Sequence, residues 1–289
     1  MSRPDRHRTR VRPAAYPVLL RWRTCVSGSV LFVLGSQWQA GHARLLPVAA
    51  GALATGLSVA QAEILNDVAD REVDRVGKPD RPIPSGAVTV RAALAGYAAT
   101  CAGSVLLGFL VRPGLGAAMV GLALGSALYC LLLKSTVLAG NVLVAAMAGT
   151  PVLLGGYTAA AVVGSVLLGS LLVSAFMLAF ELVKTATDVV GDRIAGLTTV
   201  GTAGGVRLTL WLSAAALLGA HAVAGALTRA ASRGVVFGVL FLLLVSVPAV
   251  GGYATALAAR GPGPDHAARL LHTLKQLWIC GLLCLVVLV

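Results

Sequence analysis

Residues 45–74 read LLPVAAGALATGLSVAQAEILNDVADREVD, an apolar stretch that runs directly into a group of acidic residues. The apolar part is about as long as the roughly 20 residues that a helix needs to cross the hydrocarbon core of a bilayer. The acids begin at Glu63, where such a helix would leave the membrane. The stretch therefore predicts a transmembrane helix that presents a polar site at its end.

The rest of the chain has the composition of a membrane protein. Of its 289 residues, 57% are hydrophobic and 12% are charged, and the mean hydropathy is +0.87. These values exclude an ordinary soluble domain. Because helices satisfy their own backbone hydrogen bonds in lipid, we predict an all-α bundle of nine transmembrane helices in one domain, residues 1–289. The predicted helices cover residues 24–40, 45–66, 89–111, 114–133, 137–157, 160–182, 206–228, 234–257 and 273–289.

The basic residues predict the orientation of these helices. All but four of the 23 lysines and arginines fall in the N-terminal region or in loops on the same side of the membrane. Since basic residues concentrate on the cytoplasmic side, we predict a multi-pass protein of the cell membrane with a cytoplasmic N-terminus. Residues 1–20 form a basic tail on that side, and 66–88 and 184–205 form cytoplasmic loops. The net charge of +12 is scattered over such segments, which argues against a nucleic-acid partner.

The acidic residues are far less evenly spread. Nine of the eleven lie in two short windows, each of which follows a predicted helix on the cytoplasmic side. The windows contain Glu63, Asp67, Asp70, Glu72, Asp74 and Asp80, and then Glu181, Asp188 and Asp192. Ionisable groups at membrane depth are costly and usually functional. We therefore expect the two windows to meet in space and to form one site that opens to the cytoplasmic side.

The spacing within each window favours a metal site. Asn66, Asp70 and Asp74 recur at every fourth position, as do Asp188 and Asp192, so each set lies along one face of a helix. Crowded carboxylates repel one another unless a cation neutralises them, and oxygen ligands favour Mg²⁺. We call these two rows of oxygen-bearing side chains the acidic stripes. If they face each other, they predict a clamp in which two magnesium ions link the protein to a diphosphate. The predicted ligands are Asn66, Asp67, Asp70, Asp74, Asp188 and Asp192.

A second interpretation of the acids needs no metal. Asp67 projects about 100° away from the stripe of its window and could orient a neighbouring ligand instead. The acids could also pair with Arg71, Arg75, Lys78 and Arg81 at the level of the lipid headgroups. We favour the metal site because nearly all acids of the chain fall at helix ends in two patterns with a four-residue spacing.

The same residues resemble the signatures of a known family. Asn66–Asp74 matches the pattern N-D-x-x-D-x-x-x-D, the first signature of the UbiA-type intramembrane prenyltransferases. Lys78–Gly86 is similar to that family's K-P-x-R-P-[IL]-P-S-G loop. Asp188–Thr199 resembles the second signature in its D-x-x-G-D-R-x-x-G-x-x-T form. The resemblance therefore covers both acidic windows.

Elements between and beside the signatures add to the resemblance and also mark departures. The Y-x(4)-K and G-N elements of the family are matched by Tyr129, Lys134, Gly140 and Asn141. Many relatives carry an acid at the position of Thr185 and a proline near Val200. These departures concern the choice of acceptor rather than the metal chemistry.

The resemblance implies a nine-helix bundle with a lipid-facing central cavity, capped on the cytoplasmic side by the two motif segments. It implies a prenyl diphosphate whose tail lies between helices, and a lipophilic or amphiphilic acceptor. The groups expected to hold the diphosphate are Arg71, Arg81, Lys134, Lys184 and Tyr129. Of these, Lys134 and Tyr129 are the expected catalytic residues, while Arg21 and Arg23 are weaker candidates for phosphate contact.

Three functions are compatible with these features. The first is magnesium-dependent transfer of an isoprenyl group from a prenyl diphosphate to an acceptor. The second is a membrane terpene cyclase, in which the same ionised substrate closes on its own double bonds. The third is an ion or solute transporter, which we rank last because transporters place such acids near the bilayer midplane. We predict the transferase.

Overall fold

The computed structural model describes residues 15–38, 44–159 and 162–289. Within these ranges the chain forms helices joined by turns, with no β-strand, and the predicted all-α class is confirmed. The helices are α1 (Tyr16–Leu19), α2 (Trp22–Gln37), α3 (Leu45–Ala69), α4 (Arg71–Gly77), α5 (Val90–Val111), α6 (Pro113–Leu128), α7 (Ala139–Ala159), α8 (Gly164–Ile194), α9 (Val200–Ala230), α10 (Gly234–Phe241), α11 (Val247–Ala258) and α12 (Pro264–Val286). Two π-helical turns, Tyr129–Leu133 and Leu242–Ser246, follow α6 and α10.

Eight helical segments of the described residues are long and apolar enough to span a membrane. They are Leu45–Ala69, Val90–Val111, Pro113–Leu133, Ala139–Ala159, Gly164–Ile194, Val200–Ala230, Gly234–Ala258 and Pro264–Val286. The sequence predicts nine spans. The predicted span that is not among these eight is the first, which corresponds to α2. This helix has 16 residues, whereas a helix perpendicular to the membrane needs about 20 residues to cross it.

The boundaries of two later helices differ from the predicted ones. The predicted span 206–228 belongs to α9, which begins at Val200 and is kinked at Gly205, whose φ of 75° lies in the left-handed region. The predicted span 273–289 omits the first turns of α12, which begins at Pro264. Hydropathy finds the apolar section of each helix and misses the polar or kinked turns that precede it.

Small residues allow α2 and α7 to pack closely. A Cβ atom at Gly155 would lie 2.0 Å from the carbonyl oxygen of Phe32, and one at Gly35 would lie 2.1 Å from that of Val152. Neither distance is possible without moving the backbone, so the crossing depends on glycine, as close crossings between membrane helices commonly do. This contact joins α2 to the bundle.

We expect Gly155→Ala to destabilise the protein by about 1–3 kcal/mol, because the added methyl group overpacks the contact between α2 and α7. Thermal unfolding in detergent should show a lower Tm for this variant than for the unmodified protein. Gly121→Ala is the matched control, since a Cβ atom there has no neighbour within 4 Å. Equal melting temperatures for the two variants would contradict the close packing.

Both acidic windows lie on helices that extend beyond the hydrocarbon core. α3 has 25 residues and α8 has 31, so at 1.5 Å per residue both exceed the roughly 30 Å thickness of that core. The segments 66–88 and 184–205, which the sequence assigns to cytoplasmic loops, are therefore helical where they contain most of the acids. α3 continues to Ala69, α4 covers Arg71–Gly77, and α8 continues to Ile194. The helical course of these acidic stretches agrees with the four-residue spacing of Asn66, Asp70 and Asp74 and of Asp188 and Asp192.

Candidate active site

Asn66 and Asp70 form the α3 side of the site. Nδ2 of Asn66 donates a hydrogen bond to Oδ2 of Asp70, one turn further on, at 3.3 Å. Nζ of Lys134 contacts Oδ1 of Asp70 and donates to Oδ1 of Asn66 at 3.4 Å. The side chain of Asp70 is 19% exposed, so it remains accessible to a ligand. Three of the predicted site residues are thus in direct contact.

A π-helical turn aligns Tyr129 with Lys134. The backbone N–H of Lys134 donates to the carbonyl oxygen of Tyr129 at 2.9 Å, five residues back instead of the four of an α-helix. The wider turn brings the two side chains toward one side, whereas an α-helix would separate them by about 140°. The Y-x(4)-K spacing therefore has a structural reason. Burial and, to a smaller extent, the charge of Lys184 lower the pKa of Lys134 to about 8, while the charge of Asp192 opposes this shift.

Asp188 and Asp192 form the α8 side of the site, and Lys78 connects this side to the first window. Nζ of Lys78, directly after α4, lies 3.8 Å from Oδ2 of Asp188. Oγ1 of Thr199 donates to Oδ2 of Asp192 at 3.2 Å, and the same threonine caps α9. The charges of Lys134 and Lys78 both act on Asp192. The structure therefore brings the two acidic windows together.

Asp67 and Asp74 are held by arginines. Both side chains are 6% exposed. Nη1 of Arg81 lies 3.2 Å from Oδ1 of Asp67 and 2.5 Å from Oδ2 of Asp74, and Nη2 of Arg21 lies 2.8 Å from the same Asp67 oxygen. Since Arg81 belongs to the segment after α4, these ion pairs fasten that segment to α3 and α4. Two of the predicted metal ligands and one predicted diphosphate contact thus pair with each other.

The other two predicted diphosphate contacts lie in different surroundings. Arg71 is 43% exposed, and its Nε lies 3.3 Å from Oε1 of Glu72, which is also exposed. Nζ of Lys184 lies 3.1 Å from Oε2 of Glu181, one turn back along α8. The charges of Lys184 and Glu181 also act on Tyr129. The side chain of Lys184 is 41% exposed, much like that of Arg71, so the two residues differ in their ion-pair partners rather than in their exposure.

Arg21 and Glu63 form a second polar layer, closer to the membrane interior than the stripes. Nη1 of Arg21 lies 2.7 Å from Oε2 of Glu63. Arg21 has a φ of 47°, in the left-handed region, at the break between α1 and α2. The sequence gives Glu63 no role, although one signal was present. Glu63 precedes Asp67 by one turn and so lies on the same face of α3.

The remaining four predicted ligands suit magnesium. Asn66, Asp70, Asp188 and Asp192 offer oxygen atoms, and Mg²⁺ is usually held by one or two carboxylates together with water and substrate phosphates. Within the described ranges, no group of three or more His, Cys, Asp or Glu residues is arranged to hold a metal. A site that takes its other ligands from a diphosphate does not need such a group. Lysine ammonium groups already approach Asp70 and Asp188, so both carboxylates attract cations.

Comparison with known proteins identifies the family. The model of the UbiA prenyltransferase family matches residues 28–279, which is most of the chain. The chain belongs to the UbiA prenyltransferase family. It is therefore a prenyltransferase and a multi-pass membrane protein, and the membership predicted from its aspartate motifs is confirmed.

Individual relatives of this prenyltransferase include enzymes and solved structures. The digeranylgeranylglyceryl phosphate synthase of Halobacterium salinarum is 38% identical over 205 residues, which cover 69% of this chain and 72% of that enzyme. A structure concerned with digeranylgeranylglyceryl phosphate synthase in membranes has a TM-score of 0.72 at 22% identity, covering 95% and 97% of the two chains. A UbiA homolog from Archaeoglobus fulgidus bound to GPP and Mg²⁺ has a TM-score of 0.68 at 17% identity, covering 94% and 99%. The solved structures establish the shared fold.

Proposed function

We propose that this prenyltransferase uses Mg²⁺ to transfer an isoprenyl group from a prenyl diphosphate to the hydroxyl group of a glycerophosphate-type lipid. The observation that carries the proposal is that lysines connect the two acidic windows: Lys134 contacts Asp70 and Asn66, and Lys78 lies 3.8 Å from Asp188. The acceptor class rests on the relatives, whose name denotes a glyceryl phosphate carrying two geranylgeranyl groups. The A. fulgidus homolog bound to GPP and Mg²⁺ supports the donor and the metal.

The proposal includes the arrangement of the protein in the membrane. α2 forms the first of nine spans, and its exposed residues Val26, Val30 and Val33 suit contact with lipid. The distribution of basic residues places the N-terminus in the cytoplasm and the site at the cytoplasmic face. A lipid-facing central cavity accommodates the prenyl tail between the helices, while the diphosphate stays at the level of the acidic stripes.

Four oxygen-bearing side chains hold the metal in this proposal. Asn66 and Asp70 bind from α3, and Asp188 and Asp192 bind from α8, around two ions. Magnesium at this place neutralises the charge that develops on the leaving diphosphate. Asp67 and Asp74, which the sequence predicts as ligands, instead position Arg21 and Arg81, the residues that they contact.

The cations around the stripes hold the diphosphate itself. Lys134 donates charge-assisted hydrogen bonds to phosphate oxygens, and Tyr129, whose side chain the π-turn turns toward the same side, donates from its hydroxyl group. Lys184 approaches from α8, and Arg71 reaches the phosphate from the cytoplasmic surface. Arg81 acts at the edge of this group, where it holds the segment after α4 over the site. The apolar space between the helices, into which the prenyl chain extends, keeps water away from the allylic cation until the acceptor captures it.

We expect turnover to require a divalent metal, because the two carboxylate stripes repel a diphosphate unless a cation lies between them. Removal of metal with a chelator should abolish product formation, and added Mg²⁺ should restore it. The measurement is the rate of diphosphate release by purified protein in detergent or lipid. Full turnover by protein whose metal content has been shown to be zero would refute the mechanism.

The acceptor is tested separately by product analysis. Purified protein with Mg²⁺ and geranylgeranyl diphosphate is incubated with or without geranylgeranylglyceryl phosphate, and the lipids are analysed by mass spectrometry. We expect an added geranylgeranyl ether only when both substrates are present. A hydrocarbon or alcohol ring product formed without acceptor would identify a terpene cyclase and overturn the transferase proposal.

A further inference from the structure

We propose that Glu63 is the catalytic base that binds the acceptor's hydroxyl group and removes its proton, and that Arg21 keeps this carboxylate ionised. The inference rests on the proposed transfer to a glycerophosphate-type lipid and adds the residue that activates this acceptor. Glu63 is a carboxylate on a membrane-spanning helix, and it belongs neither to the proposed metal ligands nor to the residues proposed to bind the diphosphate. An acid in such a place is costly to retain without a function.

The position of Glu63 matches the place where the reacting carbon must lie. The diphosphate lies among the acidic stripes, and the apolar prenyl chain extends from it toward the membrane interior. C1 of the prenyl group, which joins the two, therefore lies just inside the stripes. Glu63 precedes Asn66 by three residues, which places it about 4.5 Å deeper along α3. An acceptor hydroxyl that reaches C1 thus arrives at the level of Glu63.

The surroundings of Glu63 show that it faces the inside of the bundle. Arg21 directly precedes α2 and binds Glu63 on α3, so this carboxylate lies on the side of α3 that faces the start of α2. The same guanidinium also contacts Asp67, one turn further along α3, at 2.8 Å. Glu63 is thereby connected to the group of residues around the proposed diphosphate site.

Arg21 leaves one oxygen of Glu63 available. The guanidinium binds Oε2 at 2.7 Å, and no described residue donates a hydrogen bond to Oε1. The side chain of Glu63 is 19% exposed. Burial favours the protonated form of a carboxyl group, which could not accept a proton, and the ion pair with Arg21 opposes this effect. Glu181 is less suited, because Nζ of Lys184 contacts both of its oxygens at 3.3 and 3.1 Å.

The proposed step is balanced without any further reactant. The acceptor's hydroxyl oxygen forms a bond to C1 of the prenyl group. The bond between C1 and the diphosphate oxygen breaks, and its electron pair leaves with the diphosphate. The hydroxyl proton moves to Oε1 of Glu63 as the new C–O bond forms. Glu63 then returns the proton to water when the product leaves.

The test separates acceptor activation from ionisation of the donor. We expect Glu63→Gln to lower kcat for transfer to geranylgeranylglyceryl phosphate about 100-fold, in the range of general-base contributions. The same variant, with Mg²⁺ and geranylgeranyl diphosphate but no acceptor, should scramble a labelled bridging oxygen of the diphosphate within about twofold of the unmodified rate. Glu63→Asp, which keeps the charge beside Arg21 but shortens the side chain, should retain more activity than Glu63→Gln.

Asp80→Asn is the matched control, because Asp80 lies in the same window, is exposed and belongs to no ion pair among the described residues. It should leave transfer unchanged. Transfer at the unmodified rate by Glu63→Gln would overturn the proposal, as would an equal loss of oxygen scrambling, which would assign Glu63 to the metal clamp or the fold. A failure of the proposed function looks different, since the unmodified protein itself would then scramble oxygen without transferring a prenyl group to this acceptor.

Discussion

Asp188→Asn should lower kcat for prenyl transfer by about 10²- to 10³-fold, the loss expected when one group that stabilises transition-state charge is removed. The substitution preserves the size of the side chain and one oxygen ligand but removes the negative charge that attracts magnesium. Asp188 is accessible and lies near the C-terminal end of α8, 3.8 Å from Lys78, so the fold does not depend on it. The measurement is kcat at saturating Mg²⁺, together with the Mg²⁺ concentration that gives half-maximal rate.

Asp80→Asn provides the control for this variant. Asp80 is exposed, lies in the first acidic window and is outside the proposed ligand set, so its substitution should leave kcat and the magnesium requirement unchanged. Thermal unfolding of both variants separates a catalytic loss from a loss of folded protein. Turnover by Asp188→Asn at the unmodified rate, with an unchanged magnesium requirement, would remove Asp188 from the metal site.

The fold was largely predictable because the membrane imposes one strong constraint. A backbone in lipid must satisfy its own hydrogen bonds, so each long apolar run indicates a helix. The parts that hydropathy missed are those where another effect acts. α9 contains a left-handed glycine at Gly205, α12 begins with polar turns from Pro264, and α2 has 16 residues. A count of apolar residues contains none of this information.

The sequence predicted the candidate site residues but not their ion pairs. The four-residue spacing placed Asn66, Asp70, Asp188 and Asp192 along two helices, and their role as metal ligands stays a prediction. The spacing could not show that Asp67 and Asp74 pair with Arg81, because that contact depends on how the segment after α4 folds back. Sequence spacing describes one helix at a time, whereas these ion pairs join separate elements.

The layer formed by Arg21 and Glu63 shows the same limit more clearly. Arg21 is one of many basic residues near the N-terminus, and positive-inside topology explains such a residue without any specific partner. Its contact with Glu63 results from the break between α1 and α2, where Arg21 adopts a left-handed conformation. A propensity for helix on both sides does not predict this break. The polar layer inside the stripes therefore appears only when α2 is placed against α3.

Lys134→Gln should lower kcat/KM for the prenyl diphosphate by roughly 10- to 100-fold, because a charge-assisted hydrogen bond contributes about 1.5–3 kcal/mol. Lys134 is the only charged residue between Arg112 and Glu181, and it contacts Asp70 at the centre of the site. The glutamine retains a hydrogen-bond donor but cannot neutralise phosphate charge. The measurement is kcat and KM for the prenyl diphosphate at saturating Mg²⁺, with equal membrane insertion verified for both proteins.

Lys275→Gln separates this role from a general effect of positive charge. It removes one exposed lysine from the polar half of α12, so net charge falls equally in the two variants. If Lys134 served only to orient the helices, both variants would insert normally and show the same kinetic constants as the unmodified protein. If Lys134 binds the diphosphate, its variant alone loses kcat/KM, and Lys134→Arg recovers part of the loss because the positive charge returns. Unchanged constants in Lys134→Gln would leave Lys184 and Arg71 to hold the phosphate.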